Sequence, residues 1–195
     1  MNNDTTMHTT THTPPTTDPA IGSVWIGDLS AYNAGRLRGR WVDVEDADAI
    51  ADAYREMTHD GTSDFYIADT DLVDWASAIA SRWGEYAPET VWETIRDIGE
   101  ELEDYEADAF AAWVHNDIYR DWDAGVVEAF RDQYRGEYCS TEDYVYEMCE
   151  DQAGELPGWV ASYVDWRAMA HDWVMGGDIW TADSADGGVH VFWSH

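Results

Sequence analysis

The chain has 195 residues, with 41 Asp and Glu against 10 Lys and Arg, a net charge of −31 and a pI near 4.1; every cation is Arg. A field of that sign excludes a basic nucleic-acid groove and disfavours anionic membrane, because both work by pairing phosphates with cations. Yet 45% of the residues are hydrophobic, and 12 Trp, 11 Tyr and 4 Phe describe a folded chain, not a disordered polyanion.

Residues 1–21 are a Thr-rich tail with almost nothing to bury, expected to be disordered. Short β-favouring runs at Val24–Ile26 and Trp41–Val44, separated by a loop with Gly35 and Gly39, predict two strands of a hairpin or small sheet. Ile50, Ala53, Tyr54 and Met57 then recur at helical spacing behind Glu45, Asp46 and Asp48, with Gly61 as the stop. Phe65–Asp69 is a candidate third strand. From about Leu72 to Val114 the signal is helical: Val91, Ile95, Ile98, Leu102, Tyr105 and Ala109 repeat at intervals of three and four. Pro88 is placed to open one helix there and Gly99 to break the run.

A short strand is expected around Val126–Phe130, then a helix opened by Ser140-Thr141-Glu142-Asp143 and carried by Tyr144, Val145 and Met148. Past a Gly-Pro link, WVASYVDWRAMAHDWVM reads as one further helical stretch stopped by Gly176-Gly177, and DIWTADSADGGVHVFW as a closing hairpin. Strand-rich ends flanking a helical middle predict an α+β chain. Trp75, Trp92, Trp113 and Trp173 lie on helical faces and are expected in the core.

Acid is unevenly spread. Residues 45–151 carry 31 acidic and 6 basic residues, a net −25 of the −31, whereas the first hairpin holds Arg36, Arg38 and Arg40. Within the acidic zone Asp48, Asp52 and Glu56 are four apart, as are Glu93, Asp97 and Glu101, and Glu100, Asp104 and Asp108. Each like-charge pair at that spacing costs a helix about 0.2–0.5 kcal/mol, so these ladders stabilise nothing internally and point to charge as the functional surface.

Three explanations compete. Halophilic adaptation gives acidic, Lys-free chains, but 12 Trp and a charge gap over the first hairpin, where the three arginines stand against Asp28 and Asp43, fit it poorly. An acidic carbohydrate-active enzyme or binding module would use carboxylates and tryptophans together. A mimic of nucleic acid would set carboxylates where a partner expects phosphates; at one charge per roughly 1.7 Å of duplex, 31 charges equal about 53 Å of DNA, and a dimer about twice that.

Other chemistry lacks its residues. The seven His pair with no second His or Cys at a zinc interval, and DTDLVD and ADSADGG lack the continuation of a calcium loop. No phosphate-cradling Gly-rich loop or GxSxG elbow is present. Cys139 and Cys149 fit free thiols in a reducing compartment better than a disulfide, and better than a nucleophile paired with His171. No run of about 18 apolar residues could span a bilayer, and the N-terminus lacks a secretory pattern, so a soluble cytoplasmic protein is expected, without metal, cofactor or catalytic residues.

VWIGDLSAYNAGRLRGRWVDV resembles the N-terminal signature of the ArdA antirestriction proteins through Tyr32-Asn33, Gly35, Leu37, Gly39 and Trp41. LPGWVASYVDWRAMAHDW is similar to the family's C-terminal block through Pro157, Tyr163, Asp165, Trp166, Ala168 and Asp172, and the closing hairpin is similar too. The resemblance, over roughly residues 22–193, implies an elongated, curved chain of three small domains: 22–75 (N-terminal α+β), 76–115 (helical middle) and 116–195 (C-terminal α+β, dimerising). It implies a homodimer that imitates bent B-form DNA in the groove of type I restriction-modification enzymes and protects the incoming DNA of mobile elements.

The carboxylates standing for phosphates would then be Asp48, Asp52 and Glu56; Glu93, Asp97, Glu100, Glu101, Asp104 and Asp108; and Glu142, Asp143, Glu147, Glu150 and Asp151. Gln152 to Asp165, with Leu156, Pro157, Trp159, Tyr163 and Asp165, corresponds by the same resemblance to the antirestriction motif near the dimer interface.

Overall fold

The computed structural model describes residues 21–59, 62–116, 125–153 and 157–194. The described chain is α+β, with small sheets towards its two termini and helices between, in two compact units, Met1–Glu100 and Glu101–His195. The expected tail lies almost entirely outside the described residues, as does Gly61.

The first unit runs β1 (Gly22–Asp28), α1 (Leu29–Asn33), β2 (Gly39–Asp43), α2 (Ala47–Glu56), the two-residue strands β3 (Thr58–His59) and β4 (Thr62–Ser63), β5 (Phe65–Leu72), α3 (Asp74–Ala80) and α4 (Glu89–Glu101). Both expected strands pair, Val24 opposite Val42 and Trp25 opposite Trp41, and the third strand joins them in an antiparallel sheet ordered β2-β1-β5. All seven residues of the middle strand β1 are buried. Between Trp25 and Ile26 the register steps from Asp69 to Ile67, a bulge at Ala68.

The loop expected between β1 and β2 contains the short helix α1. Its cap is Asp28, whose buried carboxylate accepts the Ala31 N–H at 2.8 Å on one oxygen and Arg38 Nη1 at 3.1 Å on the other. Asp46 caps α2 in the same way, accepting Ala49 N–H at 2.9 Å, and Ile50, Ala53, Tyr54 and Met57 are buried as their spacing predicts.

Pro88 immediately precedes α4, as expected, but Gly99 does not break it. A Cβ at that position would lie 2.6 Å from Ile21 Cδ1, so the glycine answers to packing within a continuous helix. The interruption comes later: α4 stops at Glu101, and a 3-10 turn (Asp104–Glu106) restarts the chain with Glu103 and Glu106 capping each other's backbone N–H. Tyr105, placed by periodicity on the apolar face, is therefore exposed, at 78%.

The second unit continues with α5 (Ala107–His115), α6 (Val126–Gln133), β6 (Tyr134–Tyr138), α7 (Thr141–Ala153), α8 (Gly158–Ala161), α9 (Trp166–Gly176), β7 (Ile179–Asp183) and β8 (Val189–Trp193). The strand expected at Val126–Phe130 is the helix α6. Val126, Val127 and Phe130 share one buried helical face, and tertiary packing overrides the β-branched composition. The strand follows it instead, at β6, where the polar sequence YRGEY gave no signal.

The closing hairpin forms as expected, with β8 in the middle of the order β6-β8-β7. A middle strand is covered on both faces: His190, Val191 and Phe192 are all buried, whereas Trp193, expected to alternate inward with Val191, is exposed. Phe192 stacks on Trp180 at 4.0 Å, and Phe130, Tyr134 and Phe192 form a contiguous aromatic group.

Ser140 caps α7 as the sequence predicts, accepting Asp143 N–H at 3.2 Å and donating to Asp143 Oδ2 at 2.7 Å. The single helical stretch expected after the Gly-Pro link is two helices, because Asp165 caps α9 anew by accepting Ala168 N–H at 3.0 Å. Gly177, at φ +78°, ends α9 where expected. Cys139 and Cys149 are free thiols. Trp75, Trp92 and Trp113 are buried, and Trp173 packs at the edge of the core formed by Tyr144, Val145, Ala170, Ile179 and Val191.

Candidate functional site

On α4 the sequence pattern becomes a surface. At about 100° per residue, Glu89, Glu93, Asp97, Glu100 and Glu101 fall within an arc of about 120°, and Val91, Trp92, Ile95 and Ile98 fill the opposite arc. The apolar arc is buried and the five acids are exposed. Arg96, the helix's one cation, donates to the Val44 carbonyl at 3.0 Å. Glu93, Asp97 and Glu100 make no ion pair with another described residue.

Asp48, Asp52 and Glu56 likewise line the face of α2 opposite its buried residues, and all three are exposed. Here charge is partly compensated: Arg55 pairs with Asp52, and Arg40 Nε lies 3.9 Å from Glu56. On α7, Asp143, Glu147 and Asp151 are exposed and Glu142 and Glu150 half-buried, while Tyr144 and Val145 face the core. Tyr146 donates its hydroxyl to Glu150 at 2.6 Å.

The ladder Glu100, Asp104, Asp108 is not one helical row. Glu100 belongs to α4, Asp104 to the 3-10 turn and Asp108 to α5. The cause is Glu106, an acid the sequence did not distinguish. It is buried, and its carboxylate takes Arg131 Nε at 2.8 Å and Nη2 at 2.6 Å. Those hydrogen bonds hold the Glu106 carboxyl below its ordinary value against the opposing effect of burial. Arg131 also donates to the Glu101 carbonyl at 3.1 Å, so within the second unit one guanidinium ties α6 to Glu101 and to the 3-10 turn.

Asp108 is held too. Its Oδ2 accepts the Ala185 N–H at 3.0 Å and meets His190 Nε2 at 2.8 Å, while half of the side chain remains exposed, at 51%. These bonds lower its carboxyl pKa, the Ala185 N–H contributing most and His190 next. Neither partner was legible: His190 reads as one polar residue in a β-hairpin, and a backbone N–H has no sequence signal.

Leu156 lies outside the described residues. Of the other positions that the resemblance assigns to the antirestriction motif, Pro157 precedes α8, Asp165 caps α9, and Trp159 and Tyr163 are exposed at 72% and 87%. Two large aromatic side chains are thus left in water on neighbouring turns, outside the core.

Two open cavities accompany these surfaces. One, of about 300 Å³, is lined by Ile67, Asp69, Ser77, Glu85 and Trp92 among others; the second, of about 350 Å³, by Met148, Gln152, Trp173, Asp178, Ile179 and Trp193. Among the described residues no group of His, Cys, Asp and Glu could hold a metal ion, and no helix is long and apolar enough to cross a membrane.

The geometry is that of exposed carboxylate rows carried on helices whose opposite faces are core. Against protein-family models, residues 24–186 match that of the antirestriction protein ArdA. No curated protein matches the chain significantly. Since the matched segment covers most of the sequence, the chain belongs to the ArdA family of antirestriction proteins.

Proposed function

We propose that this antirestriction protein acts as a DNA mimic, occupying the duplex groove of a type I restriction-modification enzyme and excluding DNA by competition. The observation that carries this reading is the acidic face of α4. Glu89 to Glu101 spans about 18 Å of helix and presents five carboxylates, about one per 4.5 Å, close to the one per roughly 3.4 Å of a single DNA strand. A groove lined with Lys and Arg to receive phosphates would receive such a row, releasing bound counterions on both sides. No chemical step is needed, so the protein works without a cofactor and as a non-enzyme.

The same proposal includes a homodimer joined through Trp159, Tyr163 and the neighbouring motif, cytoplasmic action, and a division into domains over 22–75, 76–115 and 116–195. Exposed aromatic anchors on α8 and just beyond it support the dimer.

The deciding experiment is displacement of duplex DNA from a purified type I methyltransferase core. Wild-type protein is expected to displace it, with an affinity falling by about 10³-fold or more between 50 and 200 mM salt if six or more charge contacts form. Asp104→Asn alone is expected to change little, and Glu93→Gln/Asp97→Asn/Glu100→Gln together to weaken displacement clearly. No displacement at low salt overturns the proposal. Loss of all activity on removing one ladder acid instead favours catalysis, for which hydrolysis of carbohydrate substrates by Asp69→Asn and Glu85→Gln variants is the comparison.

A further inference from the structure

Asp108 differs from the other ladder carboxylates in how it is held. Asp143 and Glu150 are bonded by hydroxyls on their own helix or its cap, Asp52 by an arginine one turn away and Glu101 by an arginine that is itself well exposed, while Glu56 lies 3.9 Å from Arg40 Nε. Asp108 is bonded by groups 77 and 82 residues distant, one of them a histidine whose side chain is only 3% exposed. Both bonds fall on Oδ2; Oδ1 accepts none from a described residue, on a side chain that is half in solvent. One oxygen is anchored and the other is presented, as in a phosphate fixed in a backbone.

His190 is itself oriented. Its Nδ1 lies 3.2 Å from the Tyr134 hydroxyl, and the Tyr134 ring is packed between Phe130 and Phe192. Burial pushes the Tyr134 phenol up to about 12, so it stays protonated and able to donate. With Tyr134 donating to Nδ1, the neutral imidazole carries its proton on Nε2 and donates it to Asp108. Glu137, the register partner of His190 on β6, is engaged by the Ser184 hydroxyl.

We infer that His190 is a positioning residue for antirestriction: through its Nε2–H it fixes the Asp108 carboxylate for a cationic side chain of the partner. The inference rests on the DNA-mimic reading.

The test compares DNA displacement from a type I methyltransferase core by wild-type protein and by His190→Gln, at matched ionic strength and pH 7.5. Gln keeps an N–H donor for Asp108 and an acceptor for Tyr134. The variant is expected to match wild type within about twofold. His190→Leu is expected to weaken displacement about tenfold at pH 7.5.

Imidazole ¹⁵N spectra of the full chain supply a readout independent of the partner. They are expected to show the Nε2–H tautomer at His190. Equal displacement by wild type and His190→Leu, or an Nδ1–H tautomer, overturns the role of His190 alone. Absence of displacement by wild type at low salt overturns the DNA-mimic reading and this role together.

Discussion

Trp92 donates its indole N–H to the Tyr54 hydroxyl at 2.7 Å, and that hydroxyl donates onward to the Ala87 carbonyl at 2.6 Å. Three buried polar groups, on α4, α2 and the segment before α4, are thereby satisfied in one chain. Burial drives the Tyr54 phenol far above its ordinary value, so the donor is permanent. Tyr54→Phe strands both the indole N–H and the carbonyl, and is expected to cost about 1–3 kcal/mol in urea unfolding. Because the chain lies under the acidic face, displacement activity of the folded variant is expected to be unchanged.

Glu106 predicts an acid-sensitive junction. Its carboxyl pKa is depressed from the ordinary 4.5, first by Arg131, so the pair's stabilisation is complete above that value and is lost as pH falls through the lower folded value. Arg131 is about two-fifths exposed, which limits the contribution to about 1–2 kcal/mol after screening. Thermal melts are expected to show that Glu106→Gln is less stable than wild type at pH 7, with the gap closing below pH 4.5.

Gly99 offers a double-mutant cycle. Gly99→Ala gains about 1 kcal/mol of helix propensity but drives a methyl into Ile21 Cδ1, so its net effect is expected to be destabilising by about 1 kcal/mol. Ile21→Val removes that atom. The double variant is expected to be more stable than Gly99→Ala alone, and additive effects in urea unfolding would contradict the contact.

Function and stability are expected to oppose each other on α4. Glu93→Gln/Asp97→Asn/Glu100→Gln removes like-charge pairs at helical spacing, each unfavourable by about 0.2–0.5 kcal/mol, so the melting temperature is expected to rise while displacement weakens. A variant that lost both would indicate that these acids serve the fold.

Trp159 and Tyr163 are exposed enough that Trp159→Ala/Tyr163→Ala is expected to leave the far-UV spectrum unchanged. Analytical ultracentrifugation is the relevant measurement: a shift from dimer to monomer supports their place in the interface, and an unaltered dimer removes it.

Periodicity made α2, α4 and the hairpins at either terminus legible, because each carries one apolar face whose spacing alone selects helix or strand. It failed where the tertiary structure supplied the decision. Val126 and Val127 read as strand until packing with Phe130 makes them one face of α6, and Gly99 reads as a breaker until Ile21 occupies the space of its side chain. The acid rows were visible as spacing, but Glu106 and Asp108 looked like their neighbours. What sets them apart is Arg131, His190 and the Ala185 N–H, which come from 25, 82 and 77 residues away.

The contrast between β1 and the acidic face of α4 divides the chain by how much each position must specify. On the proposed reading the outward residues of α4 need only sign and spacing, so Asp and Glu would be interchangeable there and the sequence free to drift under a fixed requirement. In β1 every residue is enclosed, and at Gly27 even a methyl would meet the Tyr66 ring at 2.5 Å. Identity is therefore written into the scaffold and, on the same reading, only arithmetic into the surface: a chain so built could change most of its exposed letters while its partner continued to meet the same charge.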